Sequence, residues 1–230
     1  MCILEIGAEK VLVLGVPVSK SGVYRRNENM TEISLELEKF ESSFIVFRKG
    51  NKASGKKPNY QDKEIIHTIN TPWQVHFERD KRGPETSVTF NHLTDWKDSE
   101  REDIKYFAGE AVYTNTFTLD KLPSKELYID LGKVMVMAKI EINGQYAGGV
   151  WSYPYRLNVT NYLQKGENKL EVTVVNNWQN RLIGDQHLPE NERPTWTPSN
   201  PWRSNSPLQS SGLLGPVEIQ AYDYSIISRK

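Results

Sequence analysis

The stretch NNWQNRLIGD, residues 176–185, places Trp178, Arg181 and Asp185 directly after an apolar, alternating run. Paired carboxyl groups about 5 to 9.5 Å apart can hydrolyse a glycosidic bond, and Asp185, Glu190 and Glu192 are the candidates near this stretch. Such a pair needs a cleft that excludes water, and nothing in the sequence specifies one. The simpler reading pairs Asp185 with Arg181 and leaves both glutamates solvated, so no catalytic residue is assigned. An arginine offers five donors in a rigid fork, and burying it without a carboxylate leaves its desolvation uncompensated. A turn across Gly184 can fold Asp185 back onto Arg181. The expected role of Trp178, Arg181 and Asp185 is a structural brace that launches the following segment.

Tryptophan can also serve as a sugar platform, because the apolar face of a pyranose packs on its ring while the hydroxyls need planar polar partners. Trp151, Trp178, Trp196 and Trp202 are the candidates. Trp178, beside a core strand, reads as buried. Trp196 and Trp202, flanked by Pro, Thr, Ser and Asn, fit a carbohydrate platform and burial equally, with Asn200 and Arg203 as the accompanying polar groups. These residues lie in a long loop between a strand ending near Asn177 and one starting near Pro216, punctuated by Pro189, Pro194, Pro198, Pro201 and Pro207. Loops beyond about 15 residues are uncommon and are usually functional or disordered. Trp178, Trp196 and Trp202 argue for order, against something.

Other chemistries find less support. His67, His76, His92 and His187 allow a Ser-His-Asp set only on paper, since no Gly-x-Ser-x-Gly elbow presents a nucleophile. No His-Glu-x-x-His, phosphate loop or dinucleotide fingerprint is present. The acidic stretch DWKDSEREDIK, residues 95–105, is the one candidate for a structural calcium, but calcium needs about 6 to 8 converging oxygens; a solvated loop is the expected reading, with no cofactor and no metal site. Lys plus Arg, 29, equals Asp plus Glu, 29, which gives no basic face for nucleic acid. Cys2 alone cannot form an internal disulfide. No apolar run of about 18 residues is available for a membrane span, and the opening MCILEI does not read as a secretion signal.

The elements that must position these residues read as strands. Ile33, Leu35 and Leu37 alternate with Ser34, Glu36 and Glu38, and Tyr113, Phe117 and Leu119 share a face of 111–119. Further runs lie at 10–19, 42–49, 87–90, 126–132, 136–144, 155–160, 168–177 and 215–222; Leu127, Ile129 and Leu131, and Val136, Ala138, Ile140 and Ile142, face inward. Asn143-Gly144 supplies the positive φ angles of a hairpin. No segment shows sustained helical periodicity; TNYLQKGEN offers one capped turn ending at Gly166. Many short strands with turn signals predict an all-β protein, a β-sandwich of jelly-roll type. The polar stretch 49–63, KGNKASGKKPNYQDK, reads as a linker between residues 1–48, a few strands left over from a neighbouring β domain, and the sandwich at 64–230.

The runs YFAGEAVYTNTFTL, LYIDLGKV, AKIEINGQYAGGVW, YPYRLNVTNYLQKGENKLEVTVVNNWQNRLIGD and SGLLGPVEI together resemble the galactose-binding-like, sugar-binding jelly-roll domain of family 2 glycoside hydrolases. In their order and loop content they are similar also to the C-terminal region of family 106 α-L-rhamnosidases. The likeness runs over roughly residues 23–223. It implies a non-catalytic module of a polysaccharide-degrading enzyme, inactive by itself, whose partners are a plant or bacterial carbohydrate and a catalytic barrel absent from this chain. The parent enzyme would then be bacterial, periplasmic or extracellular. The alternative is a free-standing carbohydrate-binding or cell-surface interaction domain. Ser211-Gly212-Leu213-Leu214-Gly215-Pro216 departs from the Ser-Gly-Ile-x-Arg-Asp-like entry of the family 2 strand, which puts substrate contact there in doubt.

Overall fold

The computed structural model describes residues 63–222 throughout and, before them, the strands β1 (Cys2–Leu4), β2 (Val11–Leu14), β3 (Tyr24–Asn27), β4 (Met30–Ile33) and β5 (Phe44–Phe47), with a turn at Lys39–Phe40. The chain divides into two compact units, Met1–Glu64 with Ala221–Lys230, and Ile65–Gln220. In the first, β4 pairs with both β1 and β3, and β2 pairs with β5, all antiparallel. The expected linker falls outside the described residues except for Lys63, which opens a strand instead.

The remaining strands are β6 (Lys63–Thr68), β7 (Trp73–Phe77), β8 (Val88–Phe90), β9 (Glu110–Leu119), β10 (Glu126–Asp130), β11 (Lys133–Met135), β12 (Met137–Ile142), β13 (Gln145–Val150), β14 (Arg156–Asn158), β15 (Gly166–Val175), β16 (Gly212–Gly215) and β17 (Glu218–Tyr222). They form a six-stranded antiparallel sheet in the order β13-β12-β15-β9-β7-β8, a four-stranded sheet β14-β10-β17-β6 and the pair β11-β16. The fold is the all-β sandwich that the strand pattern predicts.

Side-chain period builds the large sheet. Ala111, Tyr113, Asn115, Phe117 and Leu119 of β9 are buried, as are Leu170, Val172 and Val174 of β15 and Ala138, Ile140 and Ile142 of β12. Intervening residues such as Thr116, Thr118 and Lys139 face out, as a half-covered antiparallel sheet requires. The second sheet differs. Leu127, Tyr128 and Ile129 are buried in succession, and so are Ile219 to Tyr222, so β10 and β17 are covered on both faces. The β12–β13 hairpin turns at Asn143 and Gly144, with φ of 53° and 76°. The Asn143 amide also donates to Tyr162 O at 2.9 Å and accepts from Lys169 N at 2.9 Å. The turn expected in TNYLQKGEN forms at Val159–Leu163, and Gly166 begins β15 instead of closing it.

At one end of the large sheet an aromatic cluster fills the core. Phe77 lies 5.2 Å from Trp96 and 5.0 Å from Phe107, ring centre to ring centre, and Trp96 lies 5.6 Å from Phe107. Trp96 Nε1 donates to Tyr113 Oη at 2.6 Å, which also accepts from Leu213 N at 3.3 Å. Burial pushes the Tyr113 phenol far up, so it stays protonated. Gly212 faces the Trp96 indole so closely that a Cβ would come within 2.5 Å of its nitrogen.

Candidate functional site

The segment read as one long loop is not structureless. It opens with the helix α2 (Gln179–Asp185), preceded in the chain by the short helix α1 (Glu102–Lys105), includes a 3-10 turn at Glu190–Glu192, and ends in β16. Asparagine and serine side chains tie it down. Asn176 accepts from Gly109 N at 3.1 Å and donates to Phe107 O at 2.8 Å. Asn180 donates to Gln209 O at 2.7 Å and accepts from Gln209 N at 2.8 Å, while Asn177 reaches Gln209 Oε1 at 2.8 Å. Gln179 donates to Pro207 O at 3.3 Å. Ser211 N donates to Asp95 Oδ1 at 2.9 Å, and Trp96 N to Ser211 O at 3.1 Å. Such a segment buries its polar groups by pairing them with backbone.

Within this clamp Trp178 corrects an expectation. It begins α2 and its indole is 60% exposed, so it takes no part in a buried brace. The chain leaves β15 at Val175, three residues earlier, and the amides on either side of Trp178 face the loop while its ring faces solvent. Trp151 and Met137 are exposed too. They sit at the same end of the large sheet, since Ala138 pairs with both Val150 and Val174.

Arg181 and Asp185 do meet, one helical turn apart on α2, with Arg181 Nη1 4.0 Å from Asp185 Oδ1. Asp185 is buried and Arg181 only 12% exposed in its side chain. The carboxylate is shared, however. Arg82 Nη1 lies 3.6 Å from the same oxygen, and Thr195 N donates to Oδ2 at 3.1 Å. Arg82 Nη2 in turn donates to Thr195 Oγ1 at 2.8 Å, joining residues 113 apart in sequence. Arg181 Nη2 is buried with no hydrogen-bond acceptor. Burial, and then the positive charge of Arg82, hold the Arg181 pKa below its ordinary value, against the opposite pull of Asp185. Arg82 itself has φ 64°, a left-handed conformation uncommon for a residue with a side chain. Its neighbour Gly83 makes that turn feasible, because a Cβ there would come within 2.6 Å of Phe77.

The sequence reading missed Arg82 and Thr195. Neither carries a local signal: Arg82 comes from a distant turn, and Thr195 from ten residues further along the same segment.

The loop candidates separate. Trp196, next to the pinned Thr195, is 82% exposed. Trp202 is half-buried, and its N donates to Asn200 Oδ1 at 3.0 Å. Asn200 Nδ2 reaches Leu182 O at 3.4 Å, so both ends of this amide already hold the loop. Arg203 is exposed, and its backbone N donates to Ser206 Oγ at 2.9 Å. Glu190 and Glu192 lie exposed on their turn. In the acidic stretch, Asp103 pairs with Arg101 at 2.6 Å and Asp98 with Lys97 at 2.8 Å. Among the described residues no group of three or more His, Cys, Asp or Glu could hold a metal ion. No helix among them is long and apolar enough to cross a membrane.

A protein of Formosa agariphila whose name assigns it to the beta-glucuronidases is 40% identical over 173 residues, covering 64% of this chain and 15% of that protein. The solved structure of a rhamnosidase from Novosphingobium sp. PP1Y superposes with a TM-score of 0.82 at 32% identity, over 95% of this chain and 21% of that one. A beta-glucuronidase from Ruminococcus gnavus, at 15% identity and a TM-score of 0.51 over 74% of this chain and 30% of that one, shares the fold. The chain thus spans less than a third of the length of each relative. The family described as glycosyl hydrolase 2 galactose-binding domain-like matches residues 92–207, from just before Trp96 through most of the pinned loop. The chain belongs to that family.

Proposed function

We propose that this chain is a non-catalytic, carbohydrate-contacting module of a polysaccharide-degrading glycoside hydrolase, α-L-rhamnosidase-like in its parent, and that it packs beside a catalytic barrel and rims its active site. The observation that carries this reading is Trp196, whose indole stands in solvent while the backbone beside it is fastened to Asp185 through Thr195. A flat apolar ring on a fastened backbone suits the face of a pyranose, since less ordering of the chain is left for binding to impose. The rhamnosidase likeness over most of the chain supports the parent assignment; the name of the Formosa agariphila relative points to a uronic-acid glycosidase, and sugar preference is settled by titration.

The carboxylates argue against hydrolysis by this chain. Asp185 is engaged by a backbone N–H and two guanidiniums, and Glu190 and Glu192 sit on an exposed turn with no facing carboxyl group in a cleft. We expect the purified chain to turn over no aryl glycoside, α-L-rhamnosides included; turnover that vanishes in Asp185→Ala defeats this reading. We expect residues 64–230 to fold as a sandwich module without residues 1–48.

Titration with rhamnose- and galactose-containing oligosaccharides, followed by tryptophan fluorescence, tests the contact. Affinity in the millimolar range, about −4 kcal/mol, that is lost in Trp196→Ala supports it. Tight binding that survives both Trp196→Ala and Trp202→Ala favours a free-standing binding domain with its site elsewhere.

A further inference from the structure

The charges around Asp185 do not balance, and the imbalance sits beside Trp196. Arg82 and Arg181 face one carboxylate oxygen at 3.6 and 4.0 Å, both beyond hydrogen-bond distance. The other oxygen is taken by Thr195 N. One guanidinium charge is therefore left over, in a place where Arg181 is nearly buried and Arg82 is 40% exposed. Arg181 also keeps one buried nitrogen with no acceptor. A structural ion pair would normally close such contacts, because a buried donor without a partner opposes folding.

We propose that the Arg82–Arg181 pair is an oxyanion subsite that selects an acidic sugar, one bearing a carboxylate or a sulfate ester, while Trp196, next in the chain to Thr195, carries its apolar face. Arg82 is the guanidinium that meets the ligand. Its Nη2 already steadies Thr195, so the fork is held in place before the ligand arrives. Arg181 supplies the second positive charge from the protein side, where low solvent exposure leaves it poorly screened. An anion at Arg82 relieves the repulsion between the two guanidiniums that Asp185 only half offsets. The inference rests on the reading of Trp196 as a carbohydrate platform and adds the class of sugar.

The test is calorimetric titration of the full chain at low salt with three oligosaccharides of equal length: one with uronic-acid residues, one sulfated and one neutral. The acidic ligands should bind about ten-fold tighter than the neutral one, and Arg82→Gln should erase that preference, read as the ratio of acidic to neutral affinity within the same variant. Which acidic ligand binds better separates carboxylate from sulfate. Half-exposed Arg82 can be replaced without emptying the core, and the thermal melt of the variant checks this. Equal affinity for acidic and neutral ligands, lost together in Trp196→Ala, overturns the subsite and leaves the platform standing. Acidic preference that persists in Arg82→Gln places the anion elsewhere and also overturns it. If the site instead takes a carboxylate from a protein partner, no saccharide binds at all, and both the subsite and the platform fall.

Discussion

In the six-stranded sheet the buried positions are filled by side chains such as Phe77, Ile140, Val172 and Val174, which have only to fit. In residues 176–211 the buried positions include Asn176, Asn180, Asp185 and Ser211, whose polar atoms must each meet a partner. The two regions adjoin, and both are ordered. The sheet is held by apolar area that any well-shaped hydrophobe can supply. The segment is held by individual hydrogen bonds, and removing one partner strands the other. Such an anchored segment can display tryptophans without burying them, and that is how Trp178 and Trp196 come to stand in solvent.

Four substitutions can break or sharpen this contrast. Phe77→Ala should have the largest effect, about 3–5 kcal/mol, because it empties the aromatic cluster against Trp96 and Phe107; denaturant unfolding should show the whole sandwich melting earlier. Asp185→Ala should cost about 3 kcal/mol, since it leaves the nearly buried Arg181 unpaired and Thr195 N without an acceptor. A double-mutant cycle with Arg181→Ala measures the pairing directly, and zero coupling would mean that Arg82 and Thr195 are the partners that matter. Asn180→Ala should cost about 1–3 kcal/mol by freeing both backbone groups of Gln209. Amide exchange provides the readout: Gln209 N–H should lose protection while the amides of β15 keep theirs. If β15 loosens as well, the segment and the sheet are one cooperative unit. Trp196→Ala should change stability by less than about 0.5 kcal/mol; a larger loss would show that the exposed indole is a structural prop.

The sheet was the legible half. β9 shows its period over ten residues and β12 over six, long enough for alternation to stand out, and the Asn143-Gly144 dipeptide names its own turn. Short elements were harder. The helix α2 has seven residues, and of its apolar side chains only Ile183 is buried, so no helical stripe is written there; packing of Gly184 against Tyr106, where a Cβ would meet the ring at 2.6 Å, helps to seat it instead. Strands β11 and β16 span three and four residues and exist only because each finds the other. Trp178 read as buried because it follows a core strand, but the chain turns immediately after Val175 and carries the ring outward.

What the sequence by itself determined was the all-β sandwich, its long strands and the local pair Arg181–Asp185, because period, turn dipeptides and an i, i+4 spacing are all properties of neighbouring residues. Only the tertiary structure decided what that pair is part of. Arg82 reaches Asp185 from a turn far back in the chain and Thr195 from ten residues further on, and which guanidinium shares the carboxylate depends on how that turn meets the anchored segment. The same convergence decided which tryptophan is displayed. Exposure of a side chain depends on what lies across from it, and for Trp196 and Trp202 those neighbours are set by the hydrogen bonds of Thr195 and Asn200, not by the flanking prolines.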